Sequence, residues 1–323
     1  MSDPNLDQIC AAIKADDAKY LYSLPLAPEG RYQAVEARLT DLNQRIVDTL
    51  ARAFEDRSAD SFPALAVSCG KCRVGSTALT NLFGIAGLPS YYQPVKTVMR
   101  FEALGQPSAP WIVPDRATTP LVHCKEMTGP YLLAECLFDP IDLLVAAGYP
   151  AAKITMVALE REPVASLDSW LEKWSQHRAP ATLVQHYLLS ALNAARIERN
   201  ARRHGIRVVN YVYEASKHPH AAVAALLDCF DLGDRFTPAL VDDWGKRGSL
   251  ESPESLVRFP VEPAPYVMVG LHASETRYRF KDRNVSYVTD EMRALLARKG
   301  ITDIYARARN ACFTQLKLEP EAI

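Results

Sequence analysis

Residues 68–83 read SCGKCRVGSTALTNLF, follow a short apolar run, and decide how the middle of the chain folds. Four residues separate Gly70 from Gly75, and two hydroxyl residues, Ser76 and Thr77, follow Gly75 directly. This glycine spacing is typical of a phosphate-binding loop between a strand and a helix. The backbone N–H groups of such a loop, with the positive end of the following helix, bind phosphate whatever side chains surround them. The sequence therefore predicts a strand, a glycine loop and a helix that together form an anion site.

The loop lacks the lysine that a nucleotide-hydrolysing P-loop carries directly after its second glycine, because Ser76 occupies that position. A basic residue, Arg73, lies inside the loop instead. We find no aspartate that closes an apolar strand as the magnesium-holding Asp of such enzymes does. The loop therefore fits a terminal group other than a γ-phosphate, with Arg73 as a planar cation beside it.

The bulk composition gives no reason to expect nucleic acid or a membrane surface as the main partner. The chain has 323 residues, with 37 basic and 38 acidic side chains and a net charge of −1, so any anion site must be local. No apolar run approaches the roughly 18 residues of a spanning helix. The first residues lack the basic and apolar regions of a signal peptide. We expect a cytoplasmic protein whose hydrophobic content, 48%, is sufficient for a buried core.

The cysteines do not indicate a metal site. They are seven in number and scattered, and only Cys69 and Cys72 form a C-x-x-C pair. That spacing occurs in redox sites and in halves of zinc sites, but no second Cys or His pair lies at zinc-ribbon spacing. We therefore expect reduced thiols, no metal, and ordinary loop residues at both positions.

Strand-like and helix-like segments alternate through the middle of the chain. The predicted strands are 64–68, 120–126, 152–162 and 206–214. This alternation predicts an α/β fold with a doubly wound, mostly parallel sheet flanked by helices, in which ligands bind at the carboxyl ends of the strands. An apolar stripe predicts that residues 5–57 are helical. We expect an N-terminal helical segment, 1–60, packed on an α/β domain at 61–323, and a last helix from about 289 to 299.

The glycine loop resembles the 5'-phosphosulfate loop of the sulfotransferases that use 3'-phosphoadenosine 5'-phosphosulfate (PAPS). That loop follows a strand and reads Lys or Arg, any residue, Gly, and two Ser or Thr residues. The matching residues in this chain are Arg73, Val74, Gly75, Ser76 and Thr77. The resemblance implies that this segment, with Cys72, holds the 5' end of the donor and that Arg73 stabilises the leaving oxygen.

A second segment resembles the 3'-phosphate segment of the same family, in which a strand ends in Arg and a Ser follows eight residues later. Here Arg161 is followed by Pro163 and by Ser169, about 88 residues after the loop. An arginine at a strand end and a serine two turns into the next helix can converge on one phosphate. The resemblance implies that Arg161 and Ser169 bind the 3'-phosphate.

Two further family features are present only in part. The family often places Tyr-Glu-Asp after a later strand, with the tyrosine on the adenine; here Tyr213 and Glu214 are followed by Ala215, and Tyr211 is the alternative. The basic carboxyl-terminal segment of the family has no full copy. Its best positional candidate is the run 275–283, through Arg277, Arg279 and Lys281.

The general base that removes the acceptor's proton is assigned least firmly by the sequence. The family commonly uses a His two residues after a Lys at a strand end, but here His123 precedes Lys125. Both share a face of the predicted strand. We expect His123 as the base and Lys125 as a support for the sulfuryl group, with Glu126 as the alternative base.

The resemblance covers roughly residues 64–230 and implies a P-loop-like sulfotransferase architecture in one compact domain. It implies metal-free, in-line transfer of a sulfuryl group from PAPS to a hydroxyl or amine, leaving adenosine 3',5'-bisphosphate. The acceptor would be a small molecule, a carbohydrate or a natural product. Two other functions remain open at this point: a P-loop-like small-molecule kinase and a non-catalytic nucleotide-binding protein.

Overall fold

The computed structural model of the chain describes residues 4–244, 256–266 and 278–319. The strands are β1 (Pro25–Leu26), β2 (Ala37–Arg38), β3 (Ala64–Lys71), β4 (Ser90–Tyr92), β5 (Leu121–Thr128), β6 (Ile154–Glu160), β7 (Arg207–Val212) and β8 (Val257–Arg258). The helices are α1 (Pro4–Ala15), α2 (Ala18–Tyr22), α3 (Leu39–Ala51), α4 (Ser76–Ile85), α5 (Pro94–Ala103), α6 (Leu133–Leu137), α7 (Pro140–Ala146), α8 (Pro163–Trp174), α9 (Pro180–Arg203), α10 (Pro219–Asp228), α11 (Ala239–Asp242), α12 (Asp290–Arg298) and α13 (Ile301–Gln315).

Six of the strands form one sheet in the order β7-β6-β3-β5-β4-β8, and every neighbouring pair in it is parallel. The predicted α/β class and parallel sheet are confirmed. β3 lies near the middle, paired with β6 on one side and β5 on the other. The carboxyl ends of these three strands therefore meet at one edge of the sheet, where the loops that follow them lie side by side.

Both faces of the sheet are covered, which explains why its central strands are almost continuously buried. Leu65 and Val67 of β3 belong to one hydrophobic core, which includes residues of α1, α3, α5 and α9. Ala66, between them, belongs to a second core, with residues of α4, α10 and α13. This two-sided covering is compatible with a doubly wound arrangement.

The N-terminal segment is less helical than its apolar stripe predicted. Between α2 and α3 the chain forms the antiparallel β1–β2 pair and a turn around Gly30, which has a φ of +57°. Pro25 and Pro28 lie in this stretch and have no N–H to donate to a helix, so a continuous helix over 5–57 is wrong. α1 packs against α9, and α3 packs against α5 and α7.

The carboxyl-terminal part holds a helix that the sequence reasoning missed. The last predicted helix, 289–299, corresponds to α12. Gly300 then adopts a left-handed conformation, with a φ of +75°, and the longer α13 begins directly after it. α13 packs against β7 and the edge of the sheet. Within the described ranges, no helix is both long and apolar enough to span a membrane.

The first glycine of the loop motif is required by packing rather than by an unusual backbone angle. A Cβ on Gly70 would fall well inside the van der Waals distance of the carbonyl oxygen of Leu159 on β6. Backbone of the neighbouring strand cannot move aside as a flexible side chain can. Gly70 therefore allows β3 and β6 to end close together.

We predict that Gly70→Ala lowers the free energy of unfolding by about 3 kcal/mol, measured by urea denaturation, because of this overpacking. The matched control is Gly30→Ala, where a Cβ meets nothing within 4 Å. Only the left-handed backbone opposes that change, at a cost of about 1 kcal/mol. Equal losses for the two variants would contradict the packing role of Gly70.

Candidate functional site

The loop after β3 is held in place through its carbonyl groups. Arg73 and Gly75 both adopt left-handed conformations, with φ values of +68° and +82°. The carbonyl oxygen of Cys72 accepts a hydrogen bond from the Trp170 indole N–H at 2.7 Å, and that of Arg73 accepts one from Arg161 Nη1 at 3.1 Å. The first N–H groups of α4 have no partner within their helix. The loop and this helix end therefore form a fixed site that favours an anion.

The structure brings together the two segments that the sequence paired. Arg73 Nε donates a hydrogen bond to Ser169 Oγ at 2.8 Å, across 96 residues of sequence. Arg161, at the start of the same β6–α8 connection, reaches the loop through the Arg73 carbonyl. Two distant parts of the chain thus contribute their cations to one place at the edge of the sheet.

A third guanidinium, that of Arg283, also lies close enough to affect the pKa of Arg73. Burial lowers the pKa of Arg73, and the positive charges of Arg161 and Arg283 lower it further. Arg283 itself donates from Nε to Asp168 at 2.7 Å and from Nη2 to Glu172 at 3.0 Å. Like charges held this close favour a bound anion, because an anion relieves their repulsion.

Tyr213 lies directly on the loop. It follows β7 as the first residue of a 3-10 turn at Tyr213–Lys217. The Arg161 guanidinium lies over its ring, 4.4 Å from the centroid. A Cβ on Gly75 would be only 2.8 Å from the Tyr213 ring, so the glycine permits this contact. The alternative residue, Tyr211, is buried, and its hydroxyl shares a 2.8 Å hydrogen bond with that of Tyr278 in the core.

The carboxyl-terminal basic run reaches the site, but through different residues from those the sequence favoured. Arg277 lies outside the described residues, and the side chain of Arg279 is exposed. The backbone N–H of Lys281 donates to the Tyr213 hydroxyl at 3.1 Å, and the Phe280 ring lies 5.3 Å from the Tyr213 ring. Arg283, the last residue of the same run, was missed; its position at the end of that basic run was the available signal.

A cavity of about 270 Å³ opens beside Arg161. Its walls come from the start of α8, the turn after β7, the segment 280–285 and α13. Its charged lining residues are basic in the majority: Arg161, Lys217, Lys281, Arg283 and Arg309, against Glu162, Glu214 and Asp282. The excess of positive charge suits an anionic ligand, and α13 supplies a wall that sequence reasoning could not provide.

Lys125 reaches the loop from β5. Its Nζ donates to Thr77 Oγ1 at 3.0 Å, at the first turn of α4, and lies 3.8 Å from the centroid of the Tyr92 ring. The lysine therefore adds a cation at the same helix end as the loop, although the P-loop position for lysine is held by Ser76.

His123 lies deeper on the same face of β5 and is fully buried. Its Nε2 shares a 2.8 Å hydrogen bond with Ser68 Oγ, and its ring stacks on Phe83 with centroids 4.5 Å apart. Burial, and then the nearby Lys125 charge, lower the pKa of His123 to about 3. A neutral imidazole enclosed in this way is not presented to an acceptor, so the geometry favours a packing role over the expected role as base.

Glu126 points to the opposite side of the sheet and binds the start of α5. Its two carboxylate oxygens accept the backbone N–H groups of Val95 at 2.7 Å and Lys96 at 3.1 Å. Burial raises its pKa to about 8 even though these bonds oppose the shift. This is the geometry of a helix cap, and it leaves the alternative base without access to an acceptor.

A buried ion pair beneath the loop was also missed. Lys71, the last residue of β3, is fully buried and pairs with the carboxylate of Glu160, the last residue of β6. The same carboxylate accepts the backbone N–H of Arg161 at 3.2 Å. The pair links the two strand ends from which Arg73 and Arg161 project. The sequence signal was the position of each partner next to a predicted site residue.

The two cysteines of the C-x-x-C pair and the acidic side chains indicate neither a reactive thiol nor a metal site among the described residues. Burial raises the pKa of both Cys69 and Cys72, and the Cys72 thiol donates to the Gly129 carbonyl oxygen at 3.4 Å. Thiols with raised pKa values are poor nucleophiles. In the part of the chain that the structure describes, no group of three or more His, Cys, Asp or Glu side chains is arranged to hold a metal ion.

Comparison with protein-family models, with curated proteins and with solved structures found no match for this chain. The resemblance to PAPS-dependent sulfotransferases therefore stays a prediction, which rests on short motifs such as 73–77 and 161–169 and on the contacts between them.

The Glu126 cap gives a testable pH dependence. The folded protein keeps the Glu126 proton up to about pH 8, whereas the unfolded chain loses it near the ordinary value of 4.5. Between these pH values the folded state binds more protons, so this group makes the free energy of unfolding fall as pH rises. We predict that Glu126→Gln flattens this fall in urea denaturation series from pH 5 to 8.

The matched control for this measurement is Glu198→Gln on the exposed side of α9, where Glu198 pairs with Arg202. This control should keep the slope of the wild-type protein. A Glu126→Gln slope equal to that of wild type would contradict the buried-cap assignment.

Proposed function

We propose that this chain is a sulfotransferase that moves a sulfuryl group from PAPS to a hydroxyl or amine of a small-molecule, carbohydrate or natural-product acceptor. The observation that carries the proposal is the contact of Arg73 with both Ser169 and Arg161 at the end of one glycine loop. A P-loop-like sulfotransferase architecture, with the parallel sheet placing these segments side by side, belongs to the same proposal.

The two phosphate-bearing ends of the donor would lie on different parts of this cluster. The 5'-phosphosulfate would be held by the loop N–H groups and by the hydroxyls of Ser76 and Thr77 at the start of α4. The 3'-phosphate would lie against Arg161 and Ser169, with Arg283 near enough to contribute. Tyr213, whose ring lies under the Arg161 guanidinium, and Phe280, whose ring is tilted at 42° to that of Tyr213, supply an aromatic surface for the base.

In the proposed reaction the acceptor oxygen or nitrogen attacks sulfur as the bond from sulfur to the bridging oxygen breaks, and the proton of the acceptor is released to solvent. Negative charge develops on that bridging oxygen, which leaves with adenosine 3',5'-bisphosphate. In this proposal Arg73 stabilises the leaving oxygen, and Lys125, which donates to Thr77, stabilises the sulfuryl group. Fixed donors of this kind contribute on the order of 3 kcal/mol each to a transition state.

A kinase function is less well supported by the geometry. Lys71, the lysine of the loop region itself, is fully buried and paired with Glu160, so it does not face a bound phosphate. The conserved feature of nucleotide-hydrolysing loops, a lysine on the terminal phosphates, is therefore supplied by neither Ser76 nor Lys71. The arginine-rich arrangement instead suits a donor with a second phosphate remote from the reacting group.

We predict that adenosine 3',5'-bisphosphate raises the melting temperature and that magnesium ATP and adenosine 5'-phosphate do so far less. A ligand at 100 times its dissociation constant stabilises the folded state by about 2.7 kcal/mol. Differential scanning fluorimetry with the three nucleotides is the measurement. A larger shift with magnesium ATP would favour the kinase, and no shift with any of them would count against a nucleotide site.

We predict that Arg73→Ala lowers sulfate-35 transfer at least about 100-fold, since it removes the cation at the leaving oxygen. Arg161→Ala should mainly weaken adenosine 3',5'-bisphosphate binding, by about 10- to 100-fold in isothermal titration calorimetry. The control is Arg202→Ala, which removes an exposed arginine of α9. Equal bisphosphate affinity in wild type and Arg161→Ala would overturn the assignment of the 3'-phosphate to Arg161.

A further inference from the structure

Two buried polar atoms of opposite hydrogen-bonding character are left without partners beside the cavity. Arg161 Nε, a donor, and Glu214 Oε2, an acceptor, are each inaccessible to solvent and have no hydrogen-bond partner of normal geometry among the described residues, although the Tyr305 hydroxyl lies near the Glu214 carboxyl. Both side chains line the cavity. Unsatisfied buried polar atoms are costly, and native proteins rarely keep them unless a ligand or water completes them.

The two side chains are neighbours. The Arg161 guanidinium stacks on Tyr213, the residue before Glu214. Glu214 Oε1 accepts the backbone N–H of Glu162, the residue after Arg161, at 3.0 Å. The dipeptides 161–162 and 213–214 therefore lie against each other. A ligand that satisfies both free atoms must carry an anionic acceptor and a hydrogen-bond donor close together.

A carboxylate in this position does not suit phosphate binding by itself. The cavity lining is mostly basic, and Glu214 reduces the positive potential beside Arg161. Its Oε1 accepts the backbone N–H of Glu162, and a phosphate oxygen placed beside its Oε2 would be repelled. Retaining an acceptor there is explained if the ligand presents an O–H or N–H group next to its phosphate.

We propose that Glu214 accepts a hydrogen bond from the ribose 2'-hydroxyl adjacent to the 3'-phosphate that Arg161 binds. This inference rests on the proposed function and assigns to the site a specificity for ribonucleoside 3'-phosphates. On a ribose ring the 2'-hydroxyl and the 3'-phosphate are attached to neighbouring carbons, which matches the neighbouring positions of the two side chains. Carboxylates bind ribose hydroxyls in the same manner in dinucleotide-binding folds.

The assignment separates three related ligands. Adenosine 3',5'-bisphosphate satisfies both Arg161 Nε and Glu214 Oε2. Its 2'-deoxy analogue leaves Glu214 Oε2 without the proposed hydrogen bond, while Oε1 keeps its bond to the Glu162 N–H. Adenosine 2',5'-bisphosphate places a phosphate on the carbon whose hydroxyl Glu214 would bind, so like charges meet. The site should therefore bind the first ligand most tightly and reject the other two.

The experiment is isothermal titration calorimetry of the full chain with these three bisphosphates. A hydrogen bond to a charged, buried group corresponds to a loss of about 10- to 100-fold in affinity when its partner is removed. We expect that loss for the 2'-deoxy nucleotide and at least as large a loss for the 2',5' isomer. This comparison on the unaltered protein is independent of any variant.

The matched variants are Glu214→Gln and Asp282→Asn. In Glu214→Gln the amide oxygen can keep the Glu162 bond while an NH2 group replaces Oε2, so the ratio of ribo to deoxy affinities should fall below about 3-fold. Asp282 is an exposed acidic residue of the same lining. Asp282→Asn should therefore change the affinities for the ribo and 2'-deoxy bisphosphates together and leave their ratio unchanged.

Equal wild-type affinities for the ribo and 2'-deoxy bisphosphates would overturn the role of Glu214 and leave the proposed function standing. An undiminished ratio in a folded Glu214→Gln variant would do the same. Absence of binding by any of the three nucleotides would instead overturn the proposed function, and the role of Glu214 with it.

Discussion

The arrangement of the site depends on the attachment of the glycine loop to α8 and to the connection that leads into it from β6. Trp170 and Arg161 donate to successive carbonyl oxygens of the loop, and Ser169 accepts from the side chain of Arg73. Because β3 and β6 are adjacent and parallel, with Gly70 opposite Leu159, the two connections leave the sheet at the same edge. Removing this attachment would separate the glycine loop from Arg161 and Ser169.

Several cations lie close together at this site, and two of them, Lys71 and Arg283, are each paired with a carboxylate. Glu160 pairs with Lys71 beneath the loop, and Asp168 accepts from Arg283 and from the backbone N–H groups of Ser286 and Tyr287. Such pairs offset the cost of burying charge only when their geometry is well satisfied. Asp168, next to Ser169 on α8, thus fixes the carboxyl-terminal segment that forms one wall of the cavity.

The strands and the two arginine motifs could be found from the sequence because they depend on local patterns. Apolar runs marked β3, β5, β6 and β7, and the spacing of Gly70 and Gly75 marked the loop. The short strands β4 and β8 have two or three residues each, too few for a periodic signal. α13 was missed although its buried residues Ile301, Ala308 and Cys312 recur at helical spacing.

The catalytic base shows the limit of motif reasoning most clearly. His123, Lys125 and Glu126 lie within four residues of sequence, yet alternation along β5 and depth from the sheet edge send them to three environments. His123 stacks on Phe83, Lys125 donates to Thr77, and Glu126 caps α5. Arg283 and Glu214 lie within segments that the sequence singled out, 275–283 and 213–214, but their roles follow from tertiary contacts with Asp168 and Glu162 that the sequence does not show.

The most direct test of the central claim is a crystal structure of the protein with adenosine 3',5'-bisphosphate. The account predicts the 5'-phosphate within hydrogen-bonding distance of the backbone N–H groups of Gly75, Ser76 and Thr77, and the 3'-phosphate against Arg161 and Ser169. A nucleotide bound elsewhere, or bound with only one phosphate on this cluster, would contradict the claim that the two connections form a single donor site.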